Sequence, residues 1–216
     1  MTRILVVIGT PIADSLTHSL AQSYATAARE AGAQVDVIDL ATDPIPAHPT
    51  SRNELRAPRT DDDRPLDPDV ADYVARVANA DHLALFFPQW WGTYPAALKA
   101  FVDRVFLSGF AFRYRPTGKL WDPLLTGRTA RIVMTMDSPR LWNALRYRHA
   151  AEISLKNAIL SYCGIRTAGI TRLAEVRHVS AATRERWVDS MGGLARRDAA
   201  ASRSTRERER AVSPAA

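Results

Sequence analysis

Three short segments hold side chains suited to gripping a ligand. The first runs Pro88-Gln89-Trp90-Trp91-Gly92-Thr93-Tyr94-Pro95, where three aromatic rings crowd a turn fixed by two prolines and a glycine. Rings in that setting suit a flat, conjugated molecule. They suit a core cap or a subunit interface equally, because Trp and Tyr settle wherever one end is apolar and the other wet. The second segment, Gly9-Thr10-Pro11-Ile12-Ala13-Asp14-Ser15, leads into Leu16 and an amphipathic stretch. Backbone N–H groups and the Ser15 hydroxyl converge there at a helix start, which suits a phosphate. Ser15 or Asp14 also reads as an ordinary N-cap, a role worth about 1 kcal/mol. The third segment is Thr135-Met136-Asp137-Ser138, whose hydroxyls and amides could bond the edge of a planar ring. A turn followed by a helix cap is the plain alternative.

Other chemistries lack their residues. No GxGxxG or GxxxxGK[ST] stretch occurs, so neither a dinucleotide fingerprint nor a P-loop is supported. No GxSxG elbow exists, and six positions after Cys163 stands Gly169 where a thiol phosphatase would need arginine. His18, His48, His82, His149 and His178 show no spacing that would bring two to one metal, so no metal site is expected.

The elements that must carry these segments follow from periodicity. Arg3–Ile8 and His82–Phe87 are apolar runs of strand length, the form taken by strands covered on both faces. Gln34–Leu40, Thr129–Thr135 and Arg166–Leu173 complete five strands. Between them, helices are predicted over Leu16–Ala31, Asp69–Asn79, Pro95–Leu107, Ala150–Cys163 and Ala181–Arg197. In the third of these, Leu98, Phe101, Val102, Val105 and Phe106 share a face, and Lys99 and Asp103 sit four apart on the other. Strands alternating with helices predict a doubly wound parallel sheet with helices on both faces. Ligands of such sheets bind beyond the strands' carboxyl ends, where all three segments fall. The stretch from Asp43 to Asp69 holds six prolines and is read as a long loop. The aromatic segment from Gly109 to Gly127 is read as an excursion over the site.

Composition bounds the rest. A chain of 216 residues, 46% of them hydrophobic, supports one substantial core. Its single cysteine, Cys163, excludes an internal disulfide and sits among apolar neighbours as a core residue. The net charge is +6, yet from Arg196 onward six arginines face three acids, so half the excess lies in a segment without an apolar stripe. The domain is therefore drawn over 1–197, and 198–216 as a disordered Arg-rich tail. A nucleic-acid role would rest on that tail alone and is not expected. MTRILVVIG enters a strand directly, with no signal-peptide pattern and no run long enough to insert in a membrane, so a cytoplasmic protein is expected.

With these residues in place the chain resembles the flavodoxin-like NAD(P)H:quinone oxidoreductases, including the modulator-of-drug-activity type and the flavoprotein subunits of potassium efflux systems. The likeness runs from about Ile4 to Leu194. It rests on Gly9-x-Pro11 with Ser15-Leu16, on Pro88 through Phe106, on Gly109-Phe110-Ala111-Phe112, and on Leu160-Ser161-Tyr162-Cys163-Gly164. The resemblance implies a flavodoxin-like five-stranded sheet that binds flavin, FMN with FAD as the alternative. Ser15 and Leu16 would hold its phosphate, and Pro88, Gln89, Trp90 and Trp91 would run along the ring. Thr135, Met136, Asp137 and Ser138 correspond to a family turn that carries two glycines, both absent here. Tyr147 and His149 are the candidates for assisting charge movement.

The activity implied is ping-pong hydride transfer from NAD(P)H through the flavin to a quinone or related acceptor, in a homodimer whose partner closes each pocket. The aromatic segment from Phe110 to Trp121 is a candidate for that partner contact. A flavoprotein that serves mainly as a regulatory partner subunit is the second reading. A one-electron carrier is a third, but such carriers are usually acidic and this chain has a pI near 9.9.

Overall fold

The structure is a computed structural model describing residues 1–60 and 62–212, with side chains described through Ala201. In chain order the elements are β1 (Arg3–Ile8), α1 (Leu16–Glu30), β2 (Gln34–Asp39), α2 (Pro68–Asn79), β3 (His82–Pro88) and α3 (Ala96–Val105). Next come β4 (Phe112–Tyr114), β5 (Trp121–Pro123), β6 (Thr129–Thr135), α4 (Arg140–Leu145), α5 (Ala150–Ile153), β7 (Arg166–Leu173) and α6 (Ala181–Val212). Five strands form one parallel sheet in the order β2-β1-β3-β6-β7, while β4 and β5 pair as a separate antiparallel hairpin. This order puts the switch between β1 and β3, where a doubly wound sheet opens its ligand crevice.

Strand alternation divides the core into two layers. Leu5, Val7, Leu83, Leu85, Phe87, Ile132 and Met134 face α2, α3 and the segment after α5. Ile4, Val6, Ile8, Ala84, Phe86 and Val133 face α1 and α6. Every residue of β6 is buried, and so are the first six of β3, which is why both read as continuous apolar runs. Cys163 lies in the first layer. Burial pushes its thiol up to about 12, so it remains a protonated core residue at neutral pH.

The structure corrects three expectations. The segment from Gly109 to Gly127 does not cover the strands' carboxyl ends. Helix α3 starts at those ends and runs back, so the chain leaves it at the opposite edge and folds there as the β4–β5 hairpin. Trp121 stacks on Tyr162 at 4.1 Å between centroids, its Nε1 donates to the Tyr162 carbonyl at 2.9 Å, and Leu125 N–H donates to the Cys163 carbonyl. The helix predicted over Ala150–Cys163 forms, but it widens after Ile153 into a π-helical stretch, Ser154–Ser161. Finally, α6 passes through the boundary drawn at Arg197. Asp198 and Ala199 are buried against the sheet and α1, because Ala195 and Ala199, four apart, give a small-residue face and Asp198 meets a buried arginine. The backbone is helical through Val212, and residues 213–216 of the expected tail lie outside the described residues.

The long loop before α2 is anchored despite its prolines. Arg104, buried near the end of α3, donates from Nη1 to the Ala47 carbonyl at 2.6 Å and from Nη2 to Asp67 at 2.7 Å. Tyr73 donates to the Pro44 carbonyl at 2.8 Å, and a 3₁₀ turn forms over Arg52–Leu55.

Candidate functional site

All three ligand-suited segments leave the sheet at one edge. After β1, Gly9 N–H donates to the Phe86 carbonyl at 2.7 Å and holds the chain beside β3. A Cβ on Gly9 would lie 2.8 Å from Leu98 Cδ2, so glycine lets α3 approach here. Thr10 is buried, Asp14 takes a left-handed φ of 53°, and Ser15 is the extended N-cap of α1. Its hydroxyl lies 2.9 Å from His18 Nδ1, while His18 Nε2 lies 3.1 Å from Asp39 at the end of β2. Asp39 thus orients His18, and His18 orients Ser15. Leu16 and Thr17, in the first turn, have no carbonyl within their helix to receive their N–H groups, and both N–H groups add to the partial positive charge of the helix start.

The second turn is a tight reversal. Trp90 and Thr93 exchange two backbone hydrogen bonds of 2.8 and 2.9 Å, with Trp91 at φ 51° and Gly92 at φ 77° between them. Two positive φ values in succession define a type I′ turn. A tryptophan held there costs about 1–2 kcal/mol, and Trp91 is wholly exposed. Beneath the turn, a Cβ on Gly92 would meet the Tyr147 ring at 3.3 Å. Gly92→Ala is therefore expected to lose about 1–2 kcal/mol, through φ strain and this contact. A urea unfolding midpoint equal to wild type would contradict the turn geometry.

The third segment continues β6. Gln89 N–H donates to the Thr135 carbonyl at 2.7 Å, Met136 N–H to the Leu173 carbonyl at 2.9 Å, and Val176 N–H to the Met136 carbonyl at 3.2 Å. The Met136 N–H is therefore committed to the sheet edge, while the amides of Asp137 and Ser138 have no backbone acceptor among the described residues. Asp137 pairs with Arg177 at 2.9 Å.

Between the segments opens a cleft of about 260 Å³. Ser15, Leu16, Pro88, Gln89, Trp90, Thr135, Met136 and Asp137 all line it, joined by Thr10, Ile12, Thr17 and Val176. Ser138 stands behind, its hydroxyl donating to Gln89 Oε1 at 3.1 Å. Trp90 also borders a second hollow of about 590 Å³, and this is where Trp91 and Tyr94 lie, with Lys99 and Asp103. Together the two reach the volume of small-molecule sites, roughly 300–1,000 Å³.

Tyr147 and His149 do not line the cleft. Tyr147 packs under Gly92, and His149, itself at φ 57°, donates toward Glu152 at 2.7 Å beside a separate hollow along β7. Sequence reasoning missed Thr10, Thr17, His18 and Asn143. A signal for His18 existed in its place three residues after an N-cap serine, the spacing of a capping box, though with histidine in the usual place of Glu or Gln. Asn143 had none, since its partners are brought together only by the fold.

Comparison with known proteins agrees with this architecture. The chain is 29% identical over 180 residues to an uncharacterized NAD(P)H oxidoreductase, YcaK, of Escherichia coli (strain K12), covering 79% of this chain and 83% of that one. It is 33% identical over 118 residues to an FMN-dependent NADH:quinone oxidoreductase of Alcanivorax borkumensis, covering 51% of this chain and 60% of that protein. The crystal structure of Smu.1420 from Streptococcus mutans UA159 superposes with a TM-score of 0.74 at 26% identity, over 91% of this chain and all of that one. A family model described as a flavodoxin-like fold matches residues 2–191, and the chain belongs to that family.

Proposed function

We propose that this chain is an FMN-dependent NAD(P)H oxidoreductase that reduces quinones or related acceptors in the cytoplasm, as a homodimer. The observation that carries the reading is the convergence of three separate turns on one cleft at the switch point of the sheet. The names of the relatives, an NAD(P)H oxidoreductase and an FMN-dependent NADH:quinone oxidoreductase, support the reaction class. A lone, buried cysteine suits a reducing compartment. Among the described residues no helix is long and apolar enough to cross a membrane. The homodimer is supported by the wholly exposed ring of Trp91 at the rim of the larger hollow.

The residues fit an anionic, planar group. Ser15, Leu16 and Thr17, the last two with N–H groups that no carbonyl of their helix receives, line one end of the cleft. The one carboxylate among the lining residues, Asp137, is paired with Arg177. When bound, FMN supplies the two-electron chemistry, accepting hydride from NAD(P)H and passing it to the acceptor. The chain's work is placement. Ser15, Leu16 and Thr17 would hold the phosphate, Pro88 to Trp90 would line the ring, and the Asp137 and Ser138 amides would stabilise charge on it. Trp91 and Tyr94 wall the adjoining hollow, where donor and acceptor take turns. No side-chain nucleophile is required. Titration of the protein with FMN, followed by NADH and then a quinone, tests this reading.

A further inference from the structure

Behind the cleft a chain of hydrogen bonds leads from Gln89 to a buried charge. Gln89 Nε2 donates to Asn143 Oδ1 at 2.8 Å, and Asn143 Nδ2 donates to Glu152 Oε1 at 3.0 Å. The same Oε1 also receives His149 Nδ1 at 2.7 Å and Arg172 Nε at 2.6 Å, while Glu152 Oε2 is buried with no partner. Asn143 and Glu152 are fully buried. Burial alone would raise the Glu152 carboxyl, but hydrogen bonds from Arg172 and His149 outweigh it and hold it below its ordinary value.

That fixed charge decides the direction of every bond outward from it. An ionised carboxylate only accepts, so Asn143 must turn its NH₂ inward and its oxygen toward Gln89. An oxygen facing Gln89 requires Gln89 to turn its own NH₂ to meet it. The Gln89 oxygen is then left beside Ser138, whose hydroxyl donates to it. Asn143 therefore works as an inverter. It carries the orientation set by Glu152 to a residue that lines the cleft and whose other side-chain partner, the Ser138 hydroxyl, can donate or accept and so does not orient it.

We propose that Asn143 and Glu152 are positioning residues that fix which edge of the Gln89 carboxamide faces the ligand. Resting on the flavin reading above, this gives Gln89 one remaining N–H and one remaining lone pair for the cleft. The ligand edge it recognises is one that offers an acceptor beside a donor, as the imide-like edge of a flavin ring does. With the network broken, the carboxamide turns freely and presents either group at either place.

The test is a double-mutant cycle on FMN affinity, read by quenching of flavin fluorescence, with Gln89→Leu, Asn143→Leu and both together. Gln89→Leu and Asn143→Leu are each expected to weaken FMN roughly 3- to 10-fold, the range of one hydrogen bond. Because Asn143 acts only through Gln89, the double variant should match Gln89→Leu within about 2-fold. Glu152→Leu removes the acceptor that sets the Asn143 carboxamide and should weaken FMN to about the same extent as Asn143→Leu, with little further loss when combined with Gln89→Leu. Fully additive losses, or wild-type affinity in Asn143→Leu or Glu152→Leu, would each overturn the proposal. If Asn143→Leu does not fold, Asn143→Ala is carried through the same cycle. Wild-type protein that binds no flavin overturns the flavin reading itself and this inference with it, an outcome distinct from a cycle that runs and proves additive.

Discussion

Asp198→Ala is expected to destabilise the fold by about 3–5 kcal/mol, the usual consequence of removing one partner of a buried ion pair. Arg131, on the interior strand β6, donates to Asp198 from Nε at 2.5 Å and from Nη2 at 2.7 Å. The Tyr24 hydroxyl donates to the same carboxylate at 2.8 Å, and His82 Nε2 lies 3.4 Å from it. Removing the carboxylate leaves a guanidinium uncompensated between sheet and helix, and a buried hydroxyl without its acceptor. The loss should appear as a lower urea midpoint, while Asp198→Asn, which keeps an acceptor, should lose less. A loss under about 1 kcal/mol would contradict the buried pair.

The same carboxylate sets an acid limit. Burial pushes its pKa up, but the Arg131 hydrogen bonds outweigh burial and hold it well below the ordinary carboxylate range. A pKa lowered on folding contributes stability that is complete above the unfolded value, about 3.9, and is lost as pH falls through the folded one. Wild-type protein should therefore lose stability steeply below about pH 4, and Asp198→Ala should show a shallower acid slope there. Tyr24 stays protonated throughout, because burial and the neighbouring Asp198 charge raise its hydroxyl far above the ordinary value.

Ser15→Asp is expected to weaken FMN on the order of 100-fold while leaving riboflavin affinity unchanged. Aspartate caps helices as well as serine does, so α1 should keep its N-terminus and the protein its stability. A carboxylate, however, places a like charge beside the phosphate. Two like charges about 4 Å apart near a protein surface repel by roughly 4 kcal/mol, enough to account for that factor. Riboflavin lacks the phosphate and serves as the internal control. Equal losses for both ligands would show that Ser15 shapes the cleft generally and holds no phosphate.

The parallel sheet was legible because strands covered on both faces must be apolar throughout. Arg3–Ile8 and Thr129–Thr135 have the predicted bounds, and so does Arg166–Leu173, although it is a half-buried edge strand that such apolarity does not mark. The lining of the cleft was legible for a related reason: prolines, glycines and N-cap residues mark where each strand ends, and the strand order places those ends together. The pairings that sequence could not show are distant ones. Arg131 meets Asp198 across 67 positions, and neither residue announces the other. Read without that pair, the run after Leu194 looked like a solvated tail, although it buries Asp198 and Ala199. Asn143 and Glu152 lay hidden similarly, on short helices with no periodic face. The hairpin was misplaced because its aromatic content suggested a lid, while the direction of α3 carries it to the other end of the sheet.

The most direct measurement is an absorbance and fluorescence titration of the purified full chain with FMN, then, under anaerobic conditions, with NADH or NADPH and finally a quinone. The expected result is binding of one FMN per chain at micromolar concentrations, bleaching of the flavin bands by the nicotinamide, and their recovery when the quinone is added. A protein that binds neither FMN nor FAD in that range, or whose bound flavin neither nicotinamide reduces, would contradict the account.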